Sequence, residues 1–175
     1  MFYDLIKNRR SIRKFQNKEV EQEKIDIILK SALMSPSSRG RKPWELIVVT
    51  DKDILKKLSI CKGHGSSFLA DAPLGIVVIA DPEICDVWVE DASIASTFIQ
   101  LAAQSLGLGS CWIQARERYT VDNSDVKVGD YIKEILNIPG KYEVECMIAI
   151  GYPAENKKPY DENQLAYEKI HYGKY

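Results

Sequence analysis

The stretch VEDASIASTFIQLAAQSLGLGSCWIQA, residues 89–115, decides how this chain folds. Val89 to Leu106 is alanine-rich and apolar around most of a helix's circumference, so that helix has to be covered on nearly all sides. Gly107, Leu108 and Gly109 then make a turn, and the residues up to Ala115 read as a strand. A buried helix running straight into a strand calls for a sheet beneath both. In a chain of 175 residues, a second subunit is one source of the remaining cover.

Outward from this stretch, helices and strands alternate. Residues 20–34, VEQEKIDIILKSALM, set Ile25, Ile28, Leu29, Ala32 and Leu33 on one helical stripe, and Pro36 follows its end. SPSSRGRKPW (35–44) reads as a loop, and WELIVVT (44–50) as a strand rich in β-branched residues. DKDILKKL (51–58) begins a short helix capped by Asp51 or Asp53. KGHGSSF (62–68) is a connection, and LGIVVIA (74–80) is a fully buried strand. VGDYIKEILNIP (128–139) gives another helix, and EVECMIAIGY (143–152) a third interior strand. Together they predict an α/β or α+β fold with one central sheet and helices on its faces. Residues 1–175 form one domain, in which 153–175, polar and tyrosine-rich, are a C-terminal arm lying along the surface or across a partner.

Hydrophobic residues at 45% and charged residues at 28% are ordinary for a globular protein. No apolar run of 18 residues occurs, so no membrane span is expected. The opening MFYDLIKNRR has its charge after its apolar residues, unlike a secretory signal, and a cytoplasmic location is expected. Cys61, Cys85, Cys111 and Cys146 lie far apart, with only His64 and His171 to assist them, so reduced thiols are expected instead of a zinc site or a disulfide framework. Lys+Arg 24 against Asp+Glu 25 leaves no general field for a polyanion such as DNA.

Positive charge is nevertheless gathered in RRSIRKF, residues 9–15. Arg9, Ser11 and Arg13 can converge on one anion the size of a phosphate monoester, since guanidinium forks give paired hydrogen bonds and a hydroxyl adds another. A solvated basic turn, with Lys7, Arg9 and Arg10 complementing the C-terminal dipole of a helix, explains the same composition. The cluster alone does not separate the two. No Ser-His-Asp or Cys-His arrangement stands out elsewhere.

Four stretches, taken in order, resemble the nitroreductase family of flavoenzymes. RRSIRKF resembles its R-R-S-x-R-x-F, and SPSSRGRKPW its P-S-S-x-N-x-Q-P-W. LAAQSLGLGSCWI (101–113) resembles its helix followed by G-L-G-x-x-W, and AIGYPAENKKPY (149–160) its G-Y-P-x-E segment. The resemblance implies an α+β fold, an α/β/α sandwich with a mainly antiparallel sheet, in an intertwined homodimer that binds FMN between subunits. It implies that Arg9, Ser11 and Arg13 hold the FMN phosphate and ribityl chain, with Arg10 adjacent and Lys157 or Lys158 adding a last positive contact. Pro36, Ser37, Ser38 and Gly40 would meet the flavin from the other subunit. Leu108 and Gly109 would shape the turn beneath it, and Ile113, Gln114 and Ala115 would bring backbone groups to the ring around N5. The implied activity is transfer of electrons from NADH or NADPH to a nitroaromatic or quinone by a ping-pong scheme. A redox sensor, a dehalogenase or a metabolite oxidase of the same fold is the alternative, and a flavin-free phosphate-binding module a third reading.

Two departures from the family pattern stand out. Gly40 and Lys42 replace the usual asparagine and glutamine, so Arg41 and Lys42 are candidates for bringing positive charge to the pyrimidine end of the ring. The chain is also short, which predicts an open or differently covered site. Trp44 and Trp112 are expected in the core, Trp88 at a dimer seam and His64 on the surface. Glu90 and Asp91 fit the first turn of their helix, and Tyr160, Tyr167, Tyr172 and Tyr175 fit anchors for the arm.

Overall fold

The computed structural model describes residues 1–121 and 125–175. Its helices are α1 (Phe2–Asn8), α2 (Gln22–Leu33), α3 (Lys52–Ser59), α4 (Trp88–Ser105) and α5 (Val128–Leu136), and its strands β1 (Trp44–Val49), β2 (Leu74–Ala80), β3 (Gly109–Gln114) and β4 (Glu143–Gly151). The strands form one sheet in the order β1-β2-β4-β3, with every neighbouring pair antiparallel. Of the two carboxylates expected at the head of α3, Asp51 makes the cap, accepting from the Asp53 and Ile54 amides at 2.9 Å each.

Alternation along the strands feeds two cores. Ile76, Val78, Ile148 and Ile150 face α2 and α4, meeting Ile25, Ile28, Ala95 and Ile99. Val77, Ile79, Met147 and Ala149 face α3 and α5, meeting Leu55, Leu58 and Ile132. The result is the expected α/β/α sandwich. Leu33 departs from its predicted stripe: it is the last residue of α2 and stands 54% exposed, because the helix ends before the stripe closes over it. The alanines of α4 bring that helix close to the sheet, and α2 packs on it beside the sheet; among its apolar residues one is left exposed. Ile94 stays 37% exposed.

Two glycines set the path of the chain around the start of β3. Gly107 takes φ 75°, a left-handed conformation that turns α4 toward β3. At Gly109, an added Cβ would lie 2.7 Å from Ile12, whose side chain crosses over the start of β3. Ile12 is buried, and its N–H donates to the Ser110 carbonyl at 3.0 Å. Gly109→Ala is therefore expected to lower unfolding stability by about 1–3 kcal/mol through overpacking and to loosen residues 9–13. Denaturant titration with hydrogen exchange on the Ile12 amide measures both.

Candidate functional site

β3 is an edge strand, and its phase determines which backbone groups face outward. Ala115 N–H donates to Glu145 O at 3.3 Å, continuing the β3–β4 register in which Gln114 lies opposite Cys146. Odd-numbered residues of β3 thus bond inward to β4, and the amides and carbonyls of Ser110, Trp112 and Gln114 point away from the sheet. At Ser110 this outer edge is covered by the N-terminal segment, through a parallel bridge from Ser11. Beyond it the edge is open to a ligand.

The segment that provides this cover is held from behind by the start of the C-terminal arm. Gln16 N–H donates to Tyr152 O and Ala154 N–H to Lys14 O, each at 2.8 Å. One Glu155 carboxylate oxygen accepts from the Arg13 and Lys14 amides at 2.5 and 3.2 Å. Lys157 Nζ reaches Ser11 O at 2.6 Å. With its backbone fixed on both sides, the segment directs Arg9, Ser11 and Arg13 to one place. All three, with Lys157, act on the thiol of Cys111: burial pushes that thiol up, while Arg13, the Ser11 hydroxyl, Lys157 and Arg9 pull it down. Among the described residues neither the Arg9 nor the Arg13 guanidinium has a carboxylate within ion-pair distance, and Arg13 lies over the Phe68 ring at 5.7 Å. Lys157 alone has an acid nearby, Glu155 at 3.6 Å. The site is a cation cluster short of negative charge.

Other predicted residues fall outside that cluster. The Arg10 guanidinium stacks 4.7 Å over Tyr160 and donates to the Lys158 carbonyl, so these residues fasten the arm. Leu108 is buried beside the turn, as is Ile113 in the α3–α5 core. Ala115 is buried with its N–H spent on Glu145, leaving Gln114 as the residue of the 113–115 group with its N–H turned outward. Its side chain is braced, accepting from Trp112 Nε1 at 2.8 Å and donating to Arg116 O at 3.0 Å.

Pro36, Ser37, Ser38 and Gly40 form a separate loop at the N-terminal end of α4. Ser38 N–H donates to Asp91 Oδ1 at 2.8 Å, and Lys42 N–H to Ser37 Oγ at 3.0 Å. Arg39, Gly40 and Lys42 have φ of 52°, 67° and 47°, so the loop is tightly wound. The Lys42 ammonium is tied to Leu33 O at 2.7 Å and Arg41 to Ile84 O at 3.2 Å. Asp91 lies in the first turn of α4, as read from sequence; it is also 3% exposed and anchors this loop, with Oδ2 left unpartnered. His64 is exposed, as expected. An open groove of about 1100 Å³ runs between residues 13–22 and 70–73, touching the cation cluster only through Arg13.

The Nitroreductase family model matches residues 6–61 and 60–152. The chain belongs to the nitroreductase family. A protein of Archaeoglobus fulgidus assigned as an NADH dehydrogenase/NAD(P)H nitroreductase is 36% identical over 172 residues, spanning 95% of this chain and 94% of the relative. The solved structure of an FMN-dependent nitroreductase from Clostridium difficile R20291 superposes with a TM-score of 0.94 at 52% identity, covering 98% of both chains. A structure from Clostridium acetobutylicum assigned as an NADH oxidase superposes at 0.87 with 34% identity, covering 98% of this chain and 100% of the other. Nitroreductases thus share this antiparallel sheet and its helical layers.

Two participants escaped the sequence reading. Glu155 was visible as the glutamate of G-Y-P-x-E, but its role in pinning the Arg13 and Lys14 amides depends on the pairing of two distant segments. Lys62, from the unpatterned KGHGSSF, reaches Gln114 O at 2.6 Å. The Arg13 amide, then the charge of Lys157 and the Lys14 amide, hold the Glu155 carboxyl below its ordinary range. Its contribution is therefore complete above the ordinary carboxylate pKa and disappears as pH falls through the lower folded value. Protection of the Arg13 and Lys14 amides, taken relative to their intrinsic exchange rates, should fall over that acid window, and Glu155→Gln should already be less protected at neutral pH. Equal protection in both proteins at pH 7 would refute this.

Proposed function

We propose that the chain is an FMN-dependent oxidoreductase, taking electrons from NADH or NADPH and passing them to a small electron-poor acceptor, a nitroaromatic or a quinone, by a ping-pong scheme. The observation that carries the reading is the cluster of Arg9, Ser11, Arg13 and Lys157, poor in compensating acid, at one end of an open strand edge that presents the Gln114 N–H further along. From Ser110 to Gln114 the strand advances ~13 Å, room for a sugar chain between an anionic phosphate and a polar ring edge. The residues fit FMN. Arg9, Ser11, Arg13 and Lys157 would hold the phosphate, Gln114 N–H would meet the ring, and Leu108 and Gly109 would support the turn beneath. The Clostridium difficile protein, 52% identical, is named an FMN-dependent nitroreductase.

FMN, when bound, supplies the hydride acceptance and electron release; the protein contributes binding, orientation and electrostatics. The reduced nicotinamide and then the acceptor would occupy the same exposed face in turn. Pro36, Ser37 and Ser38 belong to a loop whose polar ties run to α2, α4 and Ile84 instead of the cation cluster, so a second copy would deliver them to the site. The exposed Phe2, Tyr3, Ile6 and Ile94 support a homodimer. Four free cysteines accord with a reducing, cytoplasmic setting. No helix among the described residues is long and apolar enough to cross a membrane.

The purified protein should be yellow and elute at twice the 19.9 kDa chain mass. Under anaerobic conditions NADH or NADPH should bleach it, and a quinone or nitroaromatic should restore the colour with parallel-line steady-state kinetics. A flavin that no nicotinamide reduces would point to the sensor; colour restored only by a halogenated aromatic would point to the dehalogenase. Arg9→Ala and Ser11→Ala should each weaken FMN binding by roughly 1.5–3 kcal/mol, the worth of a hydrogen bond to a charged group. Isothermal titration of the apoprotein gives the value, and unchanged affinity in both variants would remove the clamp.

A further inference from the structure

A cavity of about 230 Å³ opens where β3 ends, beside the first residue of α4. Ala115, which follows Gln114, forms part of its wall, so the cavity lies just past the place where the FMN reading puts the ring and away from the phosphate clamp. Trp88, Arg116 and Lys127 give it its chemistry, and none of the four motifs contains them. Trp88 supplies a flat aromatic wall, with the Arg116 guanidinium 5.9 Å from its ring centroid, at cation–π distance. Ala115 and Val144 add apolar surface.

Arg116 is fixed through its main chain. Its N–H donates to Glu145 O at 3.1 Å, and its carbonyl accepts from Gln114 Nε2 at 3.0 Å. The residue that turns an N–H outward on the strand edge thus also anchors the arginine. Nor do the surrounding acids cancel the cations of the cavity. Asp130 and Glu143 line it but are taken by Lys133, at 3.6 and 3.0 Å. Among the described residues no carboxylate lies within ion-pair distance of Lys127. Glu117 lies 4.0 Å from Arg116 and is 65% exposed, and such a pair contributes little in water. Glu145 is buried, and burial pushes its carboxyl toward the neutral form while Arg116 pulls the other way. Two under-compensated cations beside an indole face suit a flat ring bearing an acidic group: the ring stacks and the guanidinium fork pairs with the acid.

We propose that this cavity is a subsite for the acidic substituent of the acceptor, and that Arg116, assisted by Lys127, directs the enzyme to carboxylated nitroaromatics and quinones over neutral ones. That the ligand is an electron acceptor rests on the oxidoreductase reading of the site.

The test compares para-nitrobenzoate with para-nitrobenzamide, which match in shape and in the group to be reduced and differ in charge. Calorimetric titration of the oxidised holoprotein, with no reductant present, gives their affinities. Wild type should bind the benzoate about tenfold or more tightly than the amide, as expected for a hydrogen bond to a charged group. Arg116→Gln should bring that ratio close to one, Lys127→Gln should lower it part of the way, and Arg116→Lys should retain much of it. The ratio of kcat/KM for the two compounds should change in parallel, and any general loss in a variant cancels in both ratios. Equal binding of the two compounds by wild type, or an undiminished ratio in Arg116→Gln, would overturn the proposal. A binding preference without a matching preference in kcat/KM would also overturn it, because the subsite would then serve something other than the acceptor. If the protein holds no FMN or reduces neither compound, the oxidoreductase reading falls; if it reduces both with the same kcat/KM, only the subsite falls.

Discussion

The site depends on one contact, the N-terminal segment laid against the outer edge of β3. Ile12 crosses over Gly109 at a distance that admits no Cβ, and its amide bonds Ser110 O. That crossing buries Ile12 and fixes the backbone from which Arg9, Ser11 and Arg13 project. It also stops the added strand early, so the edge beyond Ser110 keeps its polar groups for a ligand. An uncovered strand edge is ordinarily an aggregation hazard. Here Lys62 takes the Gln114 carbonyl, which leaves the outward Trp112 and Gln114 amides in a setting too charged for another strand.

The electrostatics follow from the same placement. The chain is nearly neutral, with 24 basic and 25 acidic side chains, yet its acids are spent elsewhere. Glu155 is committed to backbone amides, Glu162 to Lys7 and Glu21 to Tyr152. Glu145, in the bulge that shifts the β2–β4 register, lies buried with its carboxyl pushed up by desolvation and one oxygen unpartnered. It is no counter-charge for the clamp at the Ser110 end: besides burial, the groups acting on it are Arg116, the Gln114 and Ser93 side chains and Glu90. Cationic character on the β3 edge is thus local, created by withholding acids from one line of the structure.

Much of this was legible in the sequence, and the limits have physical causes. The continuous apolar runs LGIVVIA and EVECMIAIGY, the 3.6-residue stripe of α2 and the all-round apolar character of α4 pointed to the layers, because a strand covered on both faces and a helix covered on most sides need no polar positions. The convergence of Arg9, Ser11 and Arg13 was legible as a possibility, since alternate residues of an extended segment share a face. Which of Ile113, Gln114 and Ala115 faces outward was not, because ladder phase is set by β4, some thirty residues further along. Arg10 looked like its neighbours in sequence but faces the opposite side of an extended segment, toward Tyr160. Lys62 carried no signal at all, because a long side chain crossing from one segment to a strand edge leaves no periodicity.

On the FMN reading, α4 links the two halves of the site. Its alanines seat it on the sheet beside β3, while Asp91 in its first turn holds the Ser38 amide. A buried carboxylate gripping a backbone N–H is a stronger tether than a neutral acceptor would be, and it constrains a loop that already contains three residues at positive φ. The helix therefore fixes the serine loop relative to the sheet of its own chain, although that loop would meet the flavin of the other chain. Within one protomer α4 leaves one large apolar side chain, Ile94, exposed. A second copy packed against this part of α4 would bury Ile94, and because Asp91 ties the serine loop to the same helix, the loop would be held against that copy by the tether that fixes it to its own chain.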